Sequence, residues 1–254
     1  LMHKIAYTGV LLGLVLAGDA GAQAVNPETA AVSEPEVRVQ LAPINTTTLS
    51  AELAAVIQKL TVRDGERFKH GELLVEFDCS IQKAQLDKAQ ATADGAKKTY
   101  DVNSRLAQLE SISSLEVDVA EAKLGEAKAD IALYKASLKK CRISAPFSGR
   151  VAQLHAHQYQ HLKVGDPIMD ILDDGQLEIR MIVPSPWLSW LKAGQKFQIH
   201  IDELNQEYPA EVSTLGARID PVSQTVAVIG KIKGKHPELL AGMSGQAKFP
   251  EKAN

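Results

Sequence analysis

Large rings are scarce in this 254-residue chain: only 5% of it is aromatic although 45% is hydrophobic, which argues against one thick core. Neither sign of charge is in excess. With 28 basic and 31 acidic residues the net charge is −3, so the chain lacks the basic footprint of a nucleic-acid or anionic-membrane binder, and no nucleic-acid partner is expected. Cysteine occurs twice, at Cys79 and Cys141, with no C-x-x-C spacing, which disfavours a redox-active pair. No apolar run approaches the ~20 residues of a membrane-spanning helix. Also missing are G-x-x-x-x-G-K, a strand-to-helix G-x-G-x-x-G, H-E-x-x-H and any Ser/His/Asp order. The chain is therefore not expected to be an enzyme or to carry a cofactor.

The beginning of the chain reads as an export signal, assigned to residues 1–24: His3 and Lys4, an apolar stretch from Ile5 to Ala17, then Ala22-Gln23-Ala24 as a small-residue cleavage site. Asp19 stands where a lipoprotein would need its lipid-bearing cysteine, so lipidation is not expected. Residues 25–35 are polar and aperiodic, a flexible lead-in. The expected location is the periplasm, peripheral to or anchored at the inner membrane.

Residues 36–48 carry alternating Val37, Val39 and Leu41, and are expected to form the first strand of a barrel. Two further β stretches, 49–79 and 141–175, mirror one another. "VRDGERFKHGELLVEFD" and "HLKVGDPIMDILD" each place a glycine turn before an apolar strand that ends in aspartate, an internal repeat. Two halves of one small sandwich are implied. Between them, over 80–140, proline vanishes and the period becomes helical. Leu86, Ala89, Ala93, Ala96, Tyr100, Asn103 and Ala107 step by three and four, as do Val117, Ala120, Leu124, Ala127, Ile131, Tyr134 and Leu138. These are two arms of an α-helical coiled-coil hairpin, each of about 28 residues and ~40–45 Å long. Ser113 or Ser114 is expected to cap the second arm. The stripe on each arm is too narrow to bury a third partner, so the hairpin should project rather than lie against the sheets. Residues 176–250 return to short β segments in a small barrel, with a helical turn at 185–191 holding Trp187 and Trp190; 251–254 form a tail. The fold class is mostly β with a helical hairpin, a biotinyl/lipoyl-like sandwich split by that hairpin and followed by a barrel.

These stretches, above all "LSAELAAVIQKLTVRDGERFKHGELLVEFD" at 49–78, "RISAPFSGRV" at 142–151 and "GARIDPVSQTV … LLAGMSG" in the barrel, resemble the HlyD-type membrane fusion proteins. Those are the periplasmic adaptor subunits of efflux (RND-like) and secretion systems. The resemblance implies a non-catalytic adaptor that assembles as a homo-oligomer and bridges an inner-membrane transporter toward an outer-membrane channel. It also implies a hairpin tip that meets its partner through an Arg, a Leu and a Ser. Arg105 and Leu109 keep the family's spacing; Ser113, the best-fitting serine, comes earlier than that pattern has it. The alternative function is a stand-alone exported envelope protein, interacting with other components or handling metal.

The remaining candidates come from the residues. Cys79 and Cys141 stand at the feet of the two arms and should face each other, and export favours a bridge over two free buried thiols. His155, His157 and His161 have even spacing that one continuous strand would turn into a single face able to bind Zn²⁺ or Cu²⁺, or into an ordinary solvated face. Trp187 and Trp190 fit either a partner-binding anchor or a plug for the barrel. Met169, Met181 and Met243 read as core filler. A lipoyl carrier would need a lysine at a tight central turn, but Cys79-Ser80 and the helical insert stand there instead.

Overall fold

A computed structural model of the protein describes residues 37–234 and 236–250. The expected signal segment, lead-in and tail lie outside the described residues.

The chain opens with β1 (Val37–Pro43) and β2 (Thr46–Ser50), then β3 (Ala55–Leu60), β4 (Arg67–Phe68) and β5 (Leu73–Phe77). Two long helices follow, α1 (Ser80–Gln108) and α2 (Ser114–Lys139). After them come β6 (Arg142–Ser144), β7 (Gly149–Leu154), β8 (His161–Leu162), β9 (Pro167–Leu172) and β10 (Leu177–Pro184). A 3₁₀ turn at Ser185–Ser189 precedes β11 (Lys196–Ile201), β12 (Gln206–Asp220), β13 (Thr225–Ile232) and β14 (Ser244–Lys248).

Two four-stranded sheets, β2-β9-β7-β4 and β6-β5-β3-β8, form the sandwich. Their inward residues, among them Ile57, Leu74, Val75, Val151, Ile168 and Met169, make one buried cluster. The repeat read from the sequence has a structural counterpart down to single hydrogen bonds. Gly65 N–H donates to Val151 O and Val151 N–H to Glu66 O; in the other half Tyr159 N–H donates to Ile57 O and Ile57 N–H to Gln160 O. Likewise Gly71 and Ala145 exchange bonds with Ala145 and Glu72, as Gly165 and Ala51 do with Ala51 and Asp166. Each half thus closes the backbone of the other, and neither is complete alone.

The second body is a closed barrel in the order β1-β10-β13-β12-β11-β14. Its interior is filled by alternating residues of every strand, including Val39, Ile179, Val183, Ile199 and Val228. The expected unit 36–48 divides between the two bodies. Val37–Pro43 pairs with β10 and β14 of the barrel, whereas Thr46–Ser50 pairs with β9 of the sandwich. The reason is local: the pairing partner changes at Ile44-Asn45, where Asn45 O accepts from Asp173 N–H and its side chain donates to Asp173. Met169 and Met181 are buried, and Met243 packs at the edge of the barrel core.

Candidate functional site

The hairpin is built from its stripe. Ala89 and Ala93 of α1 and Ala120, Leu124 and Ala127 of α2 are buried between the arms, and every other stripe position is half-buried. Small side chains let two backbones approach closely, and polar residues cover most of the remaining faces away from the tip. Either helix makes its extensive contact with the other, and neither makes one with a strand. Arms of 29 and 26 residues run roughly 40 Å at 1.5 Å per residue.

At the foot, Cys79 and Cys141 form a disulfide with Cα atoms 6.1 Å apart. Cys141 belongs to the sandwich core, with Cys79 and Leu138 packed against it. The bridge therefore joins the last residue before α1 to the first residue after the hairpin, where Phe77 N–H also donates to Cys141 O. Its closed loop of 62 residues implies stabilisation of about 4 kcal/mol in the chain-entropy account.

At the tip, Leu109 is the C-cap of α1, the left-handed Glu110 (φ 54°) turns the chain, and Ser113 is the N-cap of α2. Ser113 N–H donates to the Glu116 carboxylate at 3.3 Å, the reciprocal bond of a capping box. Asn103 donates across the arms to Glu116 O at 3.4 Å. Of the three tip candidates, Arg105 and Leu109 are exposed, Leu109 by 72%, while Ser113 is occupied in capping although its surface is open. Sequence reasoning missed the apolar company these residues keep. Val102, Leu106, Leu115 and Val119 are all exposed beside the turn. The signal that marks them is their position off the stripe, where a solvated coiled coil would carry polar residues.

The histidines do not share a strand. β7 ends at Leu154, and a turn over 157–160 with Tyr159 at φ 71° separates His155 from His161. The continuous strand that a single face would need is absent here, and the cause lies in the repeat: His157–Gln160 folds as Arg63–Glu66 does, with His157 N–H bonded to the Gln160 side chain as Arg63 N–H is to Glu66. Among the described residues no group of three His, Cys, Asp or Glu side chains is placed to hold a metal ion. His155 instead lies 2.8 Å from Asp170, whose other oxygen accepts from the Thr48 hydroxyl at 2.6 Å. These two hydrogen bonds, Thr48 first and His155 second, hold the Asp170 carboxyl below its ordinary range. The carboxylate ties β2 and the end of β7 to β9.

Trp187 and Trp190 are half-buried against the barrel core, with ring centroids 5.4 and 5.8 Å from that of Phe249 in edge-on geometry. Phe249 stacks on Phe197 at 4.8 Å. They pack against one side of the barrel core, and each keeps part of its surface open.

A sandwich split by a disulfide-stapled helical hairpin and followed by a closed barrel is the arrangement that the resemblance to membrane fusion proteins implied. Comparison with known proteins agrees. Residues 79–148 match the family model of the RND MFP alpha-helical hairpin domain. The chain is 28% identical over 168 residues to the multidrug resistance protein MdtA of Yersinia pseudotuberculosis, covering 60% of this chain and 38% of that protein. It is 27% identical over 197 residues to an uncharacterized protein of Haemophilus influenzae, covering 77% of this chain and 52% of the relative. It therefore spans about half the length, or less, of these curated relatives. Among solved structures, a MacA–MexA chimeric protein with the Pseudomonas aeruginosa MexA α-hairpin domain superposes with a TM-score of 0.73 at 21% identity, covering 85% of this chain and 84% of that one. Residues 79–148 thus resemble an RND MFP hairpin domain, and the chain shares the fold of the MacA–MexA chimera. No helix among the described residues is long and apolar enough to cross a membrane.

Proposed function

We propose that this protein is a periplasmic adaptor that bridges an inner-membrane transporter toward an outer-membrane channel, several copies surrounding the conduit, by binding and assembly without catalysis. The observation that carries this reading is the hairpin. It is a stiff spike clamped to the sandwich at its foot, with Arg105, Leu109 and a group of exposed apolar side chains at its far end. An apolar surface of that kind on a polar coiled coil suits a helical partner that would bury it. Likeness to a relative named for multidrug resistance supports efflux as the transport class. The barrels would face the transporter, and cargo would be chosen by the transporter rather than by this chain.

The test is capture after crosslinking in the native envelope. Wild-type protein is expected to recover a transporter and a channel. Arg105→Asp and Leu109→Asp are expected to reduce channel recovery while leaving thermal unfolding unchanged, since both side chains are exposed. Undiminished recovery with both variants removes the docking role from the tip.

A further inference from the structure

One end of the barrel holds an open groove of about 460 Å³, within the range of small-molecule pockets. Its apolar wall is the Phe197–Phe249 stack with Pro209 and Ala210 beside it. Its rim is basic. Lys196, Lys233 and Lys248 come from the start of β11, the end of β13 and the end of β14, and no carboxylate is among the residues that line the groove. The edge is fixed, because Lys233 N–H donates to Pro209 O at 2.9 Å. Two of the three ammonium groups have carboxylates behind them: Lys233 meets Glu211 at 3.0 Å and Lys248 meets Glu207 at 2.6 Å. The Lys196 ammonium has no ion pair or hydrogen bond among the described residues, although Glu211, the partner of Lys233, stands opposite it on β12. The rim therefore keeps one uncompensated positive charge beside an aromatic wall.

We propose that this groove binds an amphiphilic anion, an apolar body carrying one carboxylate or phosphate, with the apolar part against Phe197 and Phe249 and the anionic group among the three lysines. Lysine suits that task as a point charge on a flexible stem that can itself lie along apolar surface. A neutral amphiphile would leave the Lys196 ammonium without a partner, and a cationic one would meet the rim's one uncompensated positive charge. The inference is separate from the bridging reading, because it concerns the isolated chain.

The two tryptophans of the chain both contact Phe249, so their fluorescence reports on the groove. Dodecanoate below its micellar concentration is the probe, and dodecyltrimethylammonium, with the same tail and opposite charge, is the control. Saturable binding of dodecanoate, weakened about tenfold by Lys196→Gln as expected for loss of a charged hydrogen bond, with the cationic control weak, supports the proposal. Lys163→Gln, on the sandwich, is expected to change nothing. Equal affinity for both probes, no dodecanoate binding, or full affinity in both Lys196→Gln and the Lys196→Gln/Lys248→Gln pair overturns it. Vesicles then assign the source of the ligand. Sedimentation with phosphatidylglycerol but not phosphatidylcholine vesicles, lost in the same variants, indicates a membrane lipid; dodecanoate binding without vesicle binding indicates a free amphiphile.

Discussion

Tyr159 occupies in the second half of the sandwich the backbone position that Gly65 occupies in the first, with φ of 71° against 76° and an equivalent hydrogen bond across to the opposite half. Glycine adopts that conformation freely, while a bulky residue pays ~1–2 kcal/mol for it.

Exchanging these residues should therefore have opposite consequences. Gly65→Ala meets no atom within 4 Å, so its cost is conformational alone, and urea unfolding is expected to show a loss of about 1 kcal/mol. Tyr159→Gly relieves the same strain, offset in part by a more flexible unfolded chain, and is expected to hold or raise the midpoint. A marked loss on Tyr159→Gly would mean that the exposed ring makes an interaction worth more than the strain.

Removing the staple is expected to destabilise the protein without altering its helix content. The Cys79→Ser/Cys141→Ser variant should lose about 2–4 kcal/mol in denaturant unfolding. Reductant should bring the wild type to the variant's midpoint and leave the variant where it is. Coincident midpoints for wild type and variant without reductant would show that the bridge contributes nothing to stability.

Glycines divide sharply by location. A Cβ at Gly149 would stand 2.0 Å from Leu172 O and one at Gly245 would stand 1.9 Å from His200 O, so alanine at either site must force strands apart, β7 from β9 or β14 from β11. Both variants should be strongly destabilised or fail to accumulate. Gly95 and Gly125, inside α1 and α2, have nothing within 4 Å, and alanine there should stabilise the hairpin by about 1 kcal/mol each. Thermal unfolding of the four single variants checks the division.

Asp170 should make its contribution depend on pH. Its folded pKa is lowered by Thr48 and His155, so the stabilisation is present above the ordinary aspartate value of about 4 and is lost as pH falls through the lower folded value. Measured against Asp170→Asn, the wild-type advantage is expected to be level above about pH 5 and to shrink progressively below it. An advantage that grows on acidification would refute this sign.

Much of this architecture was legible because it rests on local periodicity. The stripe from Leu86 to Leu138 could be read from spacing alone, since steps of three and four put small residues on one face whatever surrounds them. The reversal at Ser113 and the approach of the cysteines followed from it. What escaped was set by partners distant in sequence. β1 completes a barrel whose other strands begin 134 residues later, at Leu177, and nothing in Val37–Pro43 says where its pairing ends and that of Thr46 begins. The arrangement of the histidines stayed open for a related reason. Their even spacing matches a strand, but the repeat puts Tyr159 on the left-handed position of Gly65, and only alignment of the two halves exposes the turn. The tip was half legible: Arg105 and Leu109 stood out, while the apolar residues flanking them needed the stripe to be mapped first.

The disulfide has one more effect, on covalent connectivity. With Cys79 joined to Cys141, the whole hairpin is a closed ring of peptide and sulfur hung from the sandwich. A protease that cuts anywhere around that ring opens it without parting the molecule: the two half-sandwiches remain tethered, and the fragments separate on a gel only after reduction. A spike standing out in solvent can thus be nicked and still leave the body beneath it in one piece.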